Sequence, residues 1–182
     1  MQIVAAEVYS NGKKIGPSVE IISIHITRTI NRIPCAELAF LVNVVGQDSL
    51  KNVVENSNLG IGSELIIKLG WEAQRRAVKT MFKGLVIKQQ LEIETEAIMR
   101  LELKDITLKL TGDRNSRLFE HKKDDEIIKE ILNEANILPG EIDETVLKHA
   151  SMVQYNCSDW DFVLARAKAN ALLLVVKDGI VD

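Results

Sequence analysis

The chain has 182 residues, 46% of them hydrophobic and 27% charged, with 26 acids against 23 bases for a net charge of −3. That length suits one large domain or two small ones, and the balance excludes a disordered chain and a polybasic nucleic-acid binder. Aromatic residues are only 4% of the total, so the core must be aliphatic and stacking platforms for bases or sugars are few.

The longest unbroken apolar run, Ala171 to Val176, is far short of the ~20 residues a membrane-spanning helix needs. No basic segment followed by an apolar stretch opens the chain, as a secretory leader would require. Cys35 and Cys157 are distant in sequence, which favours two reduced thiols over a metal knuckle or a disulfide framework.

In chain order, the first 110 residues read as strands. Val4 to Tyr9 leads into Asn11-Gly12, the dipeptide that tolerates the positive φ angles of a two-residue hairpin. Ile22, Ile24 and Ile26 then alternate with Ser23, His25 and Thr27, a half-buried strand with the isoleucines on one face. After Pro34, Ala36, Leu38, Phe40 and Val42 form the apolar side of the next strand, and Asp48 to Glu55 reads as a short helix.

Beyond the loop Asn56 to Gly62, Leu65, Ile67, Leu69 and Trp71 share a face. Thr80 to Gln90 and Ile98 to about Leu110 add two more strands. Near Asp105 the apolar phase of the last strand flips, which predicts a bulge, a bend or a change of packing partner, taken as a sheet corner. Six or so alternating strands fit an antiparallel β-barrel or sandwich over residues 1–112, taken as a β-barrel.

From there the period becomes 3.6. Ile127, Ile128, Ile131, Leu132 and Ala135 make one helical stripe, with Asp124 or Asp125 as the expected cap and Asn136 at the end. Met152 to Asn156 reads as a short strand, and Ser158-Asp159-Trp160-Asp161 has the form of a capping box opening a second helix with Trp160, Val163, Leu164 and Ala167 buried. Leu172 to Val176 is a strand and Asp178-Gly179 a hairpin turn whose second arm is expected to be missing, so that residues 113–182 form a small α/β domain truncated at its C-terminus. The expected fold class is thus mainly β with an α+β character.

Little here points to chemistry. His25, His121 and His149 are each expected on the solvated surface, and no His/Cys spacing suits a metal. Asp159 with Asp161, and the Asp124-Asp125-Glu126 cluster, sit in first helical turns where the macrodipole already favours negative charge. Gly60-Ile61-Gly62 lacks the third glycine of a dinucleotide loop, and Arg75-Arg76 and Lys122-Lys123 are short basic spots without interleaved aromatics. The expectation is no catalytic residue, no cofactor and no metal: a structural or interaction protein.

Val153-Gln154-Tyr155-Asn156-Cys157-Ser158-Asp159-Trp160-Asp161-Phe162 resembles a stretch of the VgrG spike proteins of type VI secretion and the related phage-tail baseplate hub proteins, with Cys157 where that family often has Glu. Gly62 to Trp71 and Phe82 to Val86 resemble, more loosely, paired strands of the hub barrel. The resemblance implies Tyr155, Ser158, Asp159, Trp160, Asp161 and Phe162 as structural anchors. It implies a hub that forms a homotrimer and joins a hexameric tube protein to a trimeric spike domain in the same or another chain, with no nucleic acid bound. Its place would be the bacterial cytoplasm during assembly and then an injection apparatus or phage particle, from which it can be ejected. The competing reading is a standalone β-barrel module that binds a protein or glycan.

Overall fold

The computed structural model describes residues 4–16, 19–42, 59–71, 78–93 and 95–182. The expected helix at Asp48 to Glu55 and the pair Arg75-Arg76 lie outside the described residues. The chain falls into two compact units: residues 1–27 with 34–105, and residues 28–33 with 106–182.

The first unit is one antiparallel sheet of seven strands. These are β1 (Val4–Ser10), β2 (Lys13–Lys14), β3 (Val19–Thr27), β4 (Cys35–Val42), β5 (Glu64–Trp71), β6 (Lys79–Ile93) and β7 (Ala97–Lys104). Their spatial order is β2-β1-β5-β6-β7-β4-β3. Asn11 at φ 46° and Gly12 at φ 79° form the β1–β2 turn, both in the left-handed region such a turn demands.

Alternation sends Val8, Leu38, Phe40, Leu65, Ile67, Phe82, Met99 and Leu101 into a single aliphatic core, each at most 2% exposed. The opposite face carries cross-strand ion pairs such as Lys88–Glu102 at 2.8 Å and Glu64–Lys83 at 3.2 Å. Register shifts at Ile21/Ser23, Ile67/Lys68 and Val86/Lys88 bend the strands and curl the sheet around that core. Among the described residues the edges β1–β2 and β3 are not bonded to each other, so the sheet is a barrel open along one seam.

The first of those bulges corrects one expectation. Ile22 is 52% exposed, while Ile21, Ile24 and Ile26 pack on the core. The extra residue at the bulge shifts the phase by one, which a strict period of two does not anticipate.

The phase flip at Asp105 also has a different cause from a sheet corner. Asp105, 1% exposed, donates its N–H to the Pro34 carbonyl at 3.0 Å, and Ile106–Thr111 then forms a 3-10 turn. Leu110 joins the core of the second unit. The apolar residues change phase because they leave the sheet for another packing partner.

The second unit contains β8 (Arg114–Lys123), α1 (Asp124–Glu134), β9 (Leu138–Pro139), β10 (Lys148–Ser158), α2 (Asp159–Ala169), β11 (Val176–Lys177) and β12 (Ile180–Val181). β8 and β10 pair as an antiparallel ribbon; β11, β12 and β9 form a small sheet in which β12 runs parallel to β9. The hairpin arm expected to be missing is present in short form. Ile180–Val181 pairs with Val176–Lys177 across a turn with Asp178 at φ 53° and Gly179 at φ 86°.

The α1 stripe is buried as its period requires, with Ile127, Ile131 and Leu132 at 0% exposure. Asn136 at φ 56° ends it: its N–H reaches the Asn133 carbonyl and the Ile137 N–H the Leu132 carbonyl at 2.8 Å, two bonds that satisfy the last turn. The cap at the other end is not an aspartate. Lys123 occupies it, its N–H donating to Glu126 at 2.7 Å, which leaves Asp124 and Asp125 inside the first turn. Among the described residues no helix is long and apolar enough to cross a membrane.

Candidate interaction surface

The segment singled out in the sequence spans the end of β10 and the start of α2. Asn156 at φ 44° and a register shift between Gln154 and Cys157 break the ladder there and turn the chain from strand into helix. Ser158 caps the helix: its Oγ accepts from the Asp161 N–H at 3.1 Å and donates to the Asp161 carboxylate at 2.7 Å.

Behind the cap, Trp160 and Phe162 are each 7% exposed within the second core, and the Phe162 ring stacks on Phe119 of β8 at 5.9 Å between centroids. Asp159 does more than favour the helix dipole. Its carboxylate accepts from Gln154 Nε2 at 2.8 Å, from Asn115 Nδ2 at 3.0 Å and from Arg117 Nη2 at 3.2 Å, joining both ribbon strands to α2. Gln154 is 0% exposed and also donates to the Cys157 carbonyl at 3.2 Å.

Five of the six expected anchors therefore meet at one junction. Tyr155 does not: it is 79% exposed. It lies on the outer face of the ribbon with Val153 at 57% and its cross-strand partner Leu118 at 58%. Strands alternate, so the inner face takes Phe119, Met152 and Gln154 and the outer face is left with this apolar group beside Ser116, Glu120 and Ser151.

A second junction was not legible in the sequence. Asp124, 1% exposed, accepts from Arg166 Nε at 2.6 Å and Nη2 at 3.0 Å, and from Asn170 Nδ2 at 2.8 Å, while His149 Nε2 lies 3.1 Å from its Oδ2. Burial pushes this carboxyl up, but the bonds from Arg166, Asn170 and His149 outweigh it and bring it down to about 2. Beside it, Asp125 accepts from Thr145 N–H at 3.1 Å and Oγ1 at 2.8 Å and from Lys129 at 3.1 Å. Burial raises that carboxyl too, and these bonds leave it below its ordinary value.

His149 is thus no solvated surface residue, since its side chain is only 12% exposed. The left-handed backbone at His121, φ 53°, lies across the ribbon from this segment. Lys122, the partner of His149 in the ladder, pairs with Glu130 of α1. These buried polar groups tie α1, α2 and the ribbon to one another. His25 is exposed on the outer face of β3, and both cysteines are free thiols.

The model of the Alg8 N-terminal domain family matches residues 1–182. No curated protein matches the chain. Among solved structures, the chain is similar to the 43 kDa tail protein of prophage MuSo2 from Shewanella oneidensis, with TM-score 0.73 and 11% identity over 98% of this chain and 53% of that one. It is also similar to the E. coli c3393 protein, a component of the type VI secretion system with structural similarity to T4 bacteriophage tail proteins, with TM-score 0.63 and 14% identity over 88% and 42%. A tail protein from Neisseria meningitidis MC58 matches with TM-score 0.63 and 11% identity over 98% and 50%. The chain spans about half the length of these proteins, and at such identities the likeness is one of fold.

Proposed function

This chain belongs to the Alg8 N-terminal domain family, and from its fold we propose that it is a structural hub or spike component of a contractile injection machine, of the phage-tail or type VI secretion kind. The observation that carries the reading is the fold likeness to a prophage tail protein, which covers 98% of this chain with TM-score 0.73. A role in which many modest contacts hold a particle together agrees with what the side chains offer. The buried polar groups at Asp124 and Asp159 hold elements together, and four exposed pairs on the sheet are ion pairs.

In this reading the protein is not an enzyme. It works as a homotrimer that joins a hexameric tube protein to a trimeric spike domain, assembled in the bacterial cytoplasm and then carried in the apparatus or particle. Tyr155, Val153 and Leu118 supply one patch of the assembly surface, since an exposed aromatic among aliphatic side chains is the composition interface centres favour. Trp160, Phe162, Ser158, Asp159 and Asp161 hold the strand-to-helix junction that presents it.

The test is the molar mass in solution, by light scattering, of the protein expressed from its uninterrupted natural reading frame. Three subunits per particle is the expected result, and Tyr155→Ser should lower the trimer fraction. A monomer that persists at high concentration overturns the trimeric hub.

A further inference from the structure

Asn11-Gly12 is the single Asn-Gly pair in the chain, and Asp178-Gly179 its single Asp-Gly pair. Each stands at the centre of a two-residue turn with both residues in the left-handed region. In such pairs the side-chain carbonyl carbon and the next backbone nitrogen can meet, because glycine has no Cβ to shield that nitrogen. The fold treats the two turns in opposite ways.

At the second turn both residues are held. The Asp178 carboxylate accepts from Arg28 Nη2 at 3.1 Å, and Ile106 packs so near Gly179 that a Cβ there would lie 2.8 Å from its Cγ2. At the first turn Asn11 and Gly12 are exposed, and nothing lies within 4 Å of a Cβ built on Gly12.

Little holds the first turn closed. Asn11 donates its N–H to the Glu64 carbonyl at 2.9 Å, and its Oδ1 accepts from the Glu64 N–H at 3.1 Å. Beyond it β2 is two residues long, laddered to β1 at Lys14 and Lys13, and followed by the Ile15 N–H on the Val8 carbonyl at 2.9 Å. The Lys14–Glu7 ion pair at 2.6 Å latches this arm, with side chains 56% and 27% exposed. An arm tied so lightly opens locally at far less cost than global unfolding, and opening frees the Asn11 side chain to turn towards Gly12.

We propose that Asn11 is a self-modification site, at which the opened β2 arm lets the Gly12 backbone nitrogen attack Asn11 Cγ and expel the side-chain amide as ammonia. Solvent hydroxide takes the proton from the Gly12 nitrogen, the N–Cγ bond forms, and the Cγ–Nδ2 bond breaks as the leaving nitrogen is protonated by water. The product is a five-membered succinimide. Water then opens that ring at one of its two carbonyls, giving aspartate or isoaspartate, so the balance is amide plus water to acid plus ammonia. The aspartate keeps an acceptor for the Glu64 N–H. The isoaspartate adds a methylene to the backbone of a turn whose geometry sets the pairing of Ser10 with Lys13, and so releases β2.

The experiment is to hold the full chain in warm, mildly alkaline buffer and map its peptides by mass spectrometry, using a protease that cleaves before aspartate but not before isoaspartate. Asn11 should convert faster than any other asparagine, with ammonia appearing in step, and Asp178 should form isoaspartate only after the protein is unfolded in urea. Glu7→Gln, which removes the charge of the latch, should speed conversion about two- to fivefold, the range of one exposed ion pair. Hydrogen exchange at Ile15 should rise in the isoaspartate fraction and stay unchanged in Asn11→Asp, which shares the new charge but not the extra methylene. An Asn11 that survives in the fold and converts only in urea, another asparagine converting first, or a rate indifferent to Glu7→Gln overturns the proposal.

Discussion

At the residue scale, the signature segment mixes two kinds of side chain that a sequence motif cannot separate. Trp160 is 7% exposed and Tyr155 79%, although both are aromatic and five residues apart. Removing a buried aromatic leaves a cavity, so Trp160→Ala should cost about 3–5 kcal/mol, whereas Tyr155→Ala should stay within about 0.5 kcal/mol in urea unfolding. Equal losses at the two positions would contradict the placement of Tyr155 on the outer face.

Asp124 predicts a pH dependence whose sign follows from its bonds. Its carboxyl titrates near 3.8 when unperturbed and near 2 in the fold, so the unfolded chain takes up the proton first as pH falls. The stabilisation is fully present above pH 3.8 and is lost as pH drops through 2, and it amounts to about 2 kcal/mol for a shift of this size. Urea unfolding between pH 6 and pH 2.5 should show this loss, and Asp124→Asn should remove its contribution. An unchanged slope in the variant would show that Asp124 is not ion-paired as described.

At the element scale, the sheet depends on positions where the backbone itself is close-packed. A Cβ on Gly84 of β6 would lie 2.4 Å from the Lys104 carbonyl oxygen of β7, a contact with backbone that cannot rotate away. Gly84→Ala should therefore cost roughly 1–3 kcal/mol, the range for forcing atoms into a filled interior, read as a lower urea midpoint. Gly12 makes a different demand, a positive φ of 79° in a turn open to solvent. Bulges act at the same scale: each shifts the side-chain phase by one residue, and together they curl seven strands around one core.

At the scale of the molecule, the two units solve burial differently. The first wraps one sheet around an aliphatic interior. The second packs a ribbon, two helices and a small sheet around Ile127, Ile131, Phe119 and Trp160, and ties them with carboxylates buried at Asp124 and Asp159.

The sequence by itself determined the local periods. The alternating strands of the first unit, the α1 stripe, the Asn11-Gly12 and Asp178-Gly179 turns and the Ser158 cap are all readable because each depends on side chains a few residues apart. It did not reveal β8, whose Arg114–Lys123 stretch is mostly polar with only Leu118 and Phe119 apolar, because that strand is held by its partner β10 and not by its own pattern. Nor could it show that Ile22 turns outward, that His149 is buried against Asp124, or that β1 and β3 border a common seam. Those depend on residues brought together from distant parts of the chain, and only the tertiary structure decides which of them meet.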